Sequence, residues 1–374
     1  MALREEFTRT SDRSTLTTKL WAPDLHFRVQ DKTYFKRHGL IGKDKAESEF
    51  AGEEDFQNYP VALRDDFKGK SGDEVKLGMF FPLTGDGKYG SATLVDSEQN
   101  MTFYNTILYL NLLRNGVGWL GEMSEQRSQY SLPELSRMAL MNWLAQKLDD
   151  SLFSTIYNAY PPSQTETTSG AGLSLTAVEH PNKLFGGDAA NELEVGAGDV
   201  LNTDVLERLR TWAENNNLPK VITKEHDPCW IFLAHPFQGN TLRADTKWRE
   251  DNRGAGLRGL ANPIFKSALG ESCGIVVHES NKVASPGSST TGGQDYAQKK
   301  RGILLGANSV VRAIAKNSMK IIPRNENDYG NKNGFAIRVI YGDRRTDYDS
   351  DPTGTLINQS SALVTTWAPN PNTV

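Results

Sequence analysis

The stretch from Ser131 to Tyr157 constrains the fold of this chain most, because its pattern predicts a single long helix. Ser131 stands at the N-cap position, and Glu134 completes the pattern of a capping box. Pro161 and Pro162 would stop the helix, since proline lacks a backbone N–H and clashes with the preceding turn. Such a helix would be roughly 40 Å long, enough to serve as a spine for other elements. Its apolar residues recur at helical spacing: Leu135, Met138, Ala139, Leu144, Leu148, Leu152 and Ile156.

The composition is that of an ordinary globular protein, with 37% hydrophobic and 24% charged residues in a chain of 374. A chain of this length predicts two or three domains. The formal net charge is -4 and the isoelectric point is about 5.9. A protein whose main task is to grip phosphates is more often basic, so this charge argues against specific nucleic-acid binding.

Cysteine usage and the N-terminus both indicate a protein of the reducing cytoplasm. The two cysteines, Cys229 and Cys273, are too few for a disulfide framework. The first residues, MALREEFTRT, lack the apolar region of a signal peptide, and no run approaches the ~20 apolar residues of a membrane span. We therefore expect a soluble protein that is made in the cytoplasm and has no membrane partner.

The first 120 residues predict an extended arm followed by a long β-hairpin. Residues 1–60 are polar with scattered aromatics, which fits an arm that docks its rings on its own body or on a neighbouring subunit. The β-rich runs Asp73–Leu83 and Phe103–Leu113 predict the two strands of the hairpin. The excursion between them, Thr84–Thr102, is longer than the usual loop of about 2–5 residues, so it is either a functional loop or a disordered surface loop.

The rest of the chain predicts a loop-rich boundary over residues 160–200, a compact α/β unit over residues 201–320 and returning strands over residues 335–366. Thr203 stands at the N-cap of the first helix of the α/β unit. Residues 342–354, GDRRTDYDSDPTG, predict a charged turn between the returning strands. The predicted helices are Asp204–Asn215, Gly239–Arg249 and Asn308–Lys316, and the predicted strands are Gly172–Val178, Cys229–Ala234, Gly274–His278 and Gly302–Leu305.

One group of residues has the composition of a zinc site without its spacing. His226, Cys229, Cys273 and His278 offer the ligands of a tetrahedral zinc ion, but no Cys-x-x-Cys knuckle is present. Both cysteines adjoin apolar runs, where cysteine is more often a small buried hydrophobic residue. We therefore expect no metal at these residues.

The other candidates for a site are equally weak. Asp347, Asp349 and Asp351 alternate as calcium ligands do, but a proline follows where the loop requires glycine, so a solvated acidic turn is the simpler interpretation. No G-x-S-x-G motif of a serine hydrolase is present, and His235 and His278 have no evident nucleophile or acid partner. We therefore expect no catalytic residues and no cofactor.

Two segments make the chain recognisable. Met123–Tyr157 begins with MSEQR and continues into the predicted long helix. Trp230–Lys282 contains FLAHP, TLRADTKWRE and NPIFKSALGESCGIVVHESNK in that order, and RGILLGANSVVRAIAK follows. With the order of the predicted elements, these segments resemble the major capsid proteins of tailed phages, which have the Hong Kong 97-like fold. Within that group the chain is similar to the family typified by the coat protein of coliphage N-four.

The resemblance implies an α+β fold of the Hong Kong 97-like type. Residues 1–60 would form the N-arm, and residues 61–122 the extended E-loop hairpin and its base strands. Residues 123–200 would form the P-domain, with the spine helix at residues 131–158. Residues 201–325 would be mainly the A-domain, and residues 326–374 would be C-terminal strands returning to the P-domain.

The resemblance also implies a structural protein and not an enzyme. Such a chain would self-assemble into hexamers and pentamers that form the icosahedral head of a phage around double-stranded DNA. Its expected partners are copies of itself, a scaffold protein, a portal protein and decoration proteins, with DNA facing the inner surface without sequence-specific binding. The chain would be made in the bacterial cytoplasm and end in the virion. Two alternatives are an encapsulin-like non-viral shell protein and a hydrolase with an unrecognised site at His235 or His278.

Aromatic residues away from the predicted core are candidates for inter-subunit contacts, since exposed aromatic side chains are common interface anchors. Trp21 and Trp367 lie near the two ends of the chain, where no core is evident. The other candidates belong to the arm and to the excursion of the hairpin: Phe27, Tyr34, Phe35 and Tyr89.

Overall fold

The computed structural model describes residues 33–42, 58–64, 72–80, 87–90, 98, 103–118, 123, 126–128, 131–161, 177–222, 228–254, 269–286, 298–315, 320–323, 334–350 and 355–371. Several predicted features lie outside these residues: Trp21 and Phe27, His226, most of the excursion between the hairpin strands and most of the predicted strand Gly172–Val178. Within the described part of the chain, no helix is long and apolar enough to cross a membrane.

The described residues form five helices and sixteen strands. The helices are α1 (Tyr34–Arg37), α2 (Leu132–Asn158), α3 (Thr203–Asn215), α4 (Pro236–Ala244) and α5 (Thr246–Gly254). The strands are β1 (Ile41–Gly42), β2 (Val61–Arg64), β3 (Glu74–Phe80), β4 (Phe103–Tyr109), β5 (Asn111–Gly118), β6 (Lys183–Phe185), β7 (Trp230–Ala234), β8 (Gly270–Ser272), β9 (Ile275–Glu279), β10 (Lys299–Leu305), β11 (Val310–Ile314), β12 (Lys320–Pro323), β13 (Gly334–Arg345), β14 (Tyr348–Ser350), β15 (Thr355–Ile357) and β16 (Ser361–Trp367).

The predicted long helix is confirmed as α2, which follows Ser131 and ends at Ala159 in the left-handed conformation, with a φ of 67°. The predicted capping box is wrong, because the side chain of Ser131 makes no capping hydrogen bond. An N-cap side chain accepts from the N–H of the second or third helical residue. Pro133, the second helical residue, has no N–H to offer, and the N–H of Glu134, the third, is not bonded to the Ser131 side chain.

Two six-stranded sheets carry most of the fold. The first, which we call the spine sheet, has the order β1-β2-β11-β13-β12, and β5 pairs with β13 as well. The second, which we call the central sheet, has the order β6-β16-β10-β7-β9-β8. The C-terminal strands divide between the two sheets, since β13 lies in the spine sheet and β16 pairs with β10 in the central sheet.

Helix α2 packs on both sheets, one after the other along its length. In its first half, Leu140 and Leu144 are buried against Ile337 and Val339 of β13. In its second half, the apolar residues join a separate cluster with the central sheet. That cluster contains Leu152, Phe153 and Ile156 of α2 and Ile231, Leu233, Ile303 and Leu305 of the central sheet. The helix therefore ties the two sheets into one core.

The central sheet is covered on both faces, and the alternation of residues along β7 shows why. Ile231 and Leu233 face the cluster around α2, whereas Trp230 and Phe232 face a cluster formed with α3 and α4. Side chains of a strand point alternately to the two faces, so a strand buried on both faces must be apolar throughout. This condition accounts for the continuous apolar run of Cys229–Ala234 and confirms it as a core strand.

The predicted hairpin is confirmed, with β3 and β4 paired antiparallel from Glu74 opposite Tyr109 to Phe80 opposite Phe103. Its base lies on the face of the spine sheet away from α2, where Leu108 packs against Val311 and Ala313. The approach is so close that a Cβ on Gly342 would overlap the carbonyl oxygen of Tyr109. Glycine at this position lets β4 cross directly over β13.

The predicted helix Asn308–Lys316 is wrong, because this stretch forms the strand β11. Asn308 turns the chain with a left-handed φ of 56°, and the β-branched Val310 and Val311 then favour an extended backbone. The strand pairs with β2 on one side and β13 on the other. Both pairings are with residues distant in sequence, so the local pattern could not show them.

Two further predictions for the α/β unit need correction. The predicted helix Gly239–Arg249 is divided into α4 and α5 by Asp245, which has an extended backbone and whose carboxylate accepts hydrogen bonds from the N–H and hydroxyl of Thr203. The N-cap of α3 is Asn202 and not Thr203, since the Asn202 side chain accepts from the Val205 N–H at 3.0 Å.

We expect replacement of Gly342 by alanine to destabilise the fold by about 1–3 kcal/mol, because the added methyl group must push β4 away from β13. The matched control is replacement of Gly116 by alanine, whose Cβ would have its nearest neighbour at 3.4 Å and should have a much smaller effect. Urea unfolding of the unassembled chains measures both effects, and equal stability of the two variants would contradict the close crossing.

Candidate assembly surfaces

The structure places two of the predicted contact residues inside their own chain. The ring of Phe35 is buried 5.1 Å from that of Phe153, and Tyr34 is half-buried with its hydroxyl donating to the carbonyl of Glu279. For Phe35 the prediction of an inter-subunit contact is therefore wrong. The arm does dock its aromatic residues, but at this point it docks them on the body of the same chain.

Two other predicted residues remain accessible to different degrees. Tyr89 is 86% exposed, in the described part of the excursion between β3 and β4. Trp367 is the last residue of β16 and is half-buried. Its backbone N–H donates to the carbonyl of Asp199 at 2.9 Å. Tyr89 therefore offers a whole aromatic ring to a partner, whereas Trp367 offers part of one.

Several other large apolar side chains are also exposed. Met138, which the sequence places in the apolar stripe of the long helix, and Met141 are exposed on α2. Leu112 and Ile340 are exposed next to each other on the face of the spine sheet away from α2. Contiguous exposed apolar residues on a folded protein commonly mark interaction sites. The exposed pair could not be predicted from the sequence, because the register that places Leu112 opposite Ile340 cannot be read from either strand alone.

These surfaces are held in place by a buried arginine at the end of α2. The guanidinium of Arg345 is fully buried and donates to the carbonyl oxygens of Ile156 and Tyr157, in the last turn of the helix, at 2.8 and 3.1 Å. It also donates to the carbonyls of Val178 and Glu179. A cation at this end of a helix satisfies carbonyls that have no partner within the helix and complements its dipole.

The charge of Arg345 is balanced by Asp347, whose carboxylate accepts from its Nε at 2.8 and 2.9 Å. Asn358 donates to the same carboxylate at 2.8 Å, and Asn358 is itself bonded by the N–H of Ser361. The prediction of a solvated acidic turn is therefore wrong for Asp347, which is 1% exposed. A buried carboxylate needs a cation and hydrogen bonds, and here both are supplied.

A second buried pair fixes the middle of α2. Arg312 of β11 donates twice to the carboxylate of Asp343 of β13, each time at 2.6 Å, and once to the carbonyl of Leu148 in the helix at 2.7 Å. Ser151 of the helix donates to the same carboxylate. Burial alone would lower the pKa of Arg312, but the attraction of Asp343 outweighs burial and raises this pKa. Arg312 therefore stays charged, and its hydrogen bonds hold α2 against the spine sheet.

The arm segment is attached to α2 through a third charged group. The carboxylate of Asp149 accepts from the N–H of Tyr34 at 2.6 Å, and the ammonium of Lys282 lies 4.0 Å away. Burial raises the pKa of Asp149, while the Tyr34 N–H and the charge of Lys282 oppose that increase. This contact orients the first described residues of the arm on the body of the protein.

His180 is buried between the network of Arg345 and the central sheet. Its Nδ1 accepts from the N–H of Asn182 at 3.1 Å, so the neutral ring carries its proton on Nε2, which lies 3.0 Å from the hydroxyl of Ser361. Burial, and then the nearby charge of Arg345, lower the pKa of His180 to about 3. The folded protein therefore keeps this imidazole neutral over the whole physiological pH range.

The described residues contain no group of three or more His, Cys, Asp or Glu side chains that could hold a metal ion. Cys229 is buried beside β7, and Cys273 is partly buried in the turn before β9. His235 caps α4 by accepting from the N–H of Phe237, and burial lowers its pKa to about 4. Its ring thus has a structural role at the start of a helix.

We expect replacement of Arg345 by methionine to cost about 3–5 kcal/mol of stability, since it leaves the buried carboxylate of Asp347 without its cation. Replacement of Arg210 by alanine is the control, because Arg210 forms only an exposed pair with Glu214 and should cost below about 1 kcal/mol. Urea unfolding of the unassembled chain measures both. A loss for the Arg345 variant as small as that of the control would contradict the role of the buried pair.

The low pKa of His180 makes stability depend on pH with a definite sign. An unfolded histidine takes up a proton near pH 6.5, whereas the folded one does so only near pH 3, so stability is lost as pH falls between these values. For one proton the slope approaches about 1.4 kcal/mol per pH unit. The free energy of unfolding, measured in urea from pH 7 to pH 4.5, should fall less steeply with falling pH for a His180→Gln variant than for the wild type. The difference in slope should correspond to about one proton. Identical slopes would refute this explanation.

Comparison with known proteins agrees with the resemblance found in the sequence. A family model described as phage capsid protein matches residues 9–366. The major capsid protein of Pseudomonas phage KPP25 is 24% identical over 314 residues, which cover 77% of this chain and 81% of that protein.

Solved structures extend the likeness to the fold. The capsid of Ralstonia phage GP4 superposes with a TM-score of 0.75 at 22% identity, covering 95% of this chain and 96% of that one. The capsid of cyanophage Pam1 superposes with a TM-score of 0.68 at 16% identity, covering 96% and 97%. The mixed α/β architecture is therefore that of phage capsid proteins, and because the family model spans nearly the whole sequence, the chain belongs to the phage capsid protein family.

Proposed function

We propose that this chain is a major capsid protein that self-assembles into hexamers and pentamers of an icosahedral phage head around double-stranded DNA. The observation that carries this proposal is the family match over residues 9–366. The likeness to capsid structures over almost the full length of both chains supports it. The family consists of structural shell proteins, so neither a hydrolase nor a non-viral compartment shell is needed to account for the chain.

The division into capsid subdomains belongs to the same proposal. We assign residues 1–60 to the N-arm, 61–122 to the E-loop hairpin and its base, and 123–200 to the P-domain with α2 as its spine helix. Residues 201–325 are mainly the A-domain, and residues 326–374 supply the C-terminal strands that return to the P-domain. Packing of α2 on β13 supports this return for β13. Strand β16 pairs with β10, within the residues assigned to the A-domain, so its pairing gives the return no such support.

The partners we propose are those of a shell built around a genome. Further copies of the chain supply most contacts, and many weak contacts suffice because valency multiplies them. A scaffold protein, a portal protein and decoration proteins would meet the same shell. DNA would face its inner surface without sequence-specific binding, in keeping with a net charge of -4. The chain would be made in the host cytoplasm and become part of the virion.

Among the predicted contact residues, Tyr89 has the strongest support as an inter-subunit anchor, because its ring is almost entirely exposed on the excursion from the hairpin. Trp367 is a second candidate, with part of its ring accessible. The proposals for Trp21 and Phe27 rest on the sequence. Tyr34 is half-buried, so at most its exposed part could contact another subunit.

The decisive experiment is electron microscopy of the purified or co-expressed chain. We expect shells or hexameric capsomers, and monomers alone under all assembly conditions, including added scaffold, would refute the proposed function.

Deletion of Thr84–Thr102 tests the role of the hairpin. It would leave three residues, 81–83, between β3 and β4, within the usual length of about 2–5 for a hairpin connection, so the core should fold normally. We expect unchanged circular dichroism and a much lower yield of shells. Normal assembly of the shortened chain would show that the excursion is not an interface.

A further inference from the structure

Among the described residues, none covers one half of the outer face of the spine sheet, the face away from α2. The base of the hairpin covers the other half, where Leu108 packs on Val311 and Ala313. Beyond that base, Leu112 stands opposite Ile340 and Arg114 stands opposite Arg338 in the pairing of β5 with β13. Leu112 is 47% exposed and Ile340 is 37% exposed, and the two arginines are exposed beside them. We call these four residues the open face.

The open face concentrates positive charge in an unfavourable arrangement. Like charges directly opposite each other on neighbouring strands destabilise a sheet. Arg114 and Arg338 stand in this relation on β5 and β13. Neither arginine forms an ion pair within the described part of the chain, whereas the buried Arg312 and Arg345 each have a carboxylate partner. An anionic partner would remove this repulsion.

The apolar pair beside the arginines indicates what kind of anion fits. A nucleic-acid backbone would neutralise the arginines but would leave Leu112 and Ile340 exposed to water. A peptide with both carboxylates and aromatic rings would cover all four residues. Residues 43–57 of this chain, KDKAESEFAGEEDFQ, have that composition, with six carboxylates against two lysines and with Phe50 and Phe56.

Residues 43–57 start and end at the wrong edge of the spine sheet to reach the open face of their own chain. They follow Gly42 of β1 and precede Asn58, and β1 and β2 lie across the sheet from β5. Pairing places Gly42 level with Arg344, six residues along β13 from Arg338. Three strand spacings across and six residues along amount to about 25 Å.

Fully extended, a segment of 15 residues that must return to its starting point reaches about 25 Å, so it would only just touch Arg338. Arg114 lies a further strand spacing of about 5 Å away, so the segment could not pair with both arginines of its own chain. The base of the hairpin also stands in the way, because it covers β2 and β11 on this face. A second copy of the chain has neither limit. In a shell, every open face has neighbouring copies nearby.

The occupant would lie on the face and not along the second edge of β5, which has no partner strand among the described residues. The side-chain oxygens of Asn111 and Asn115 accept from the N–H groups of Leu112 and Gly116, at 2.8 and 2.9 Å. These contacts use donors that an added strand would need. Side chains of the occupant, and not its backbone, would therefore make the contacts.

We propose that the open face binds the acidic, aromatic residues 43–57 of a second copy of this chain. The carboxylates of the segment pair with Arg114 and Arg338, and a phenylalanine ring covers Leu112 and Ile340. This inference rests on the proposed function, since it concerns a contact between subunits of a shell.

Charge reversal tests the contact from both sides. The face variant is Arg114→Glu with Arg338→Glu, and the segment variant is Glu53→Lys with Glu54→Lys and Asp55→Lys. We expect each variant alone to lower the yield of shells about tenfold, a loss of about 1.4 kcal/mol per contact. A chain carrying both sets of changes should regain most of the yield. A mixture of the two variants should also regain part of it, since unlike copies then complement each other.

The controls separate this inference from the proposed function and from its competitors. Wild-type chains must form shells in parallel, because their failure would count against the proposed function instead. The control variant, Arg210→Glu with Lys247→Glu, changes the net charge by as much as the face variant does. Its changes lie at exposed sites on α3 and α5, so it should assemble normally. Urea unfolding midpoints of all unassembled variants establish that they fold.

Three outcomes would overturn the inference. Normal assembly of either single-sided variant would show that the contact does not exist. Rescue in the combined chain but not in the mixture would place the segment on its own chain. A face variant that assembles normally but retains less DNA would assign the open face to nucleic acid.

Discussion

The buried charge of Arg345 is the constraint on which the rest of the structure depends. A guanidinium removed from water is costly unless every donor finds an acceptor and a carboxylate balances the charge. Those acceptors come from the last turn of α2, from residues 178–179 and from Asp347, three stretches far apart in the sequence. They can meet only when the helix, the boundary loop and the end of β13 are all in place. The interaction therefore favours one arrangement of these parts over looser ones.

The second buried pair, Arg312 with Asp343, extends the same control to the middle of the helix. Apolar packing of α2 against both sheets supplies stability but is compatible with small slips along the helix axis. Hydrogen bonds to the carbonyls of Leu148, Ile156 and Tyr157 are directional, so they set the position of α2 along its own axis. A shell protein benefits from this rigidity, because an error in one subunit is repeated at every contact.

What could be predicted from the sequence is what depends on local pattern. The apolar period of α2 and the continuous apolar run of β7 are visible in a window of residues, because each is buried by its own repeat. The strand formed within Asn308–Lys316 could not be predicted, since its partners β2 and β13 are distant in the sequence and decide its conformation. The sequence predicts a solvated turn around Arg345 and Asp347, because only the folded chain shows that each charge has a buried partner. The open face was missed for a related reason: it exists only once the register of β5 and β13 is known.

The two asparagines on β5 bear on how copies of this chain avoid the wrong polymer. A protein that accumulates to high local concentration with a free strand edge is at risk of edge-to-edge growth, which has no natural end and yields ribbons. Asn111 and Asn115 fold back on the N–H groups of the residues that follow them and so make that edge a poor template. Growth is thereby left to contacts between faces and loops, whose angles bend the array until it closes on itself.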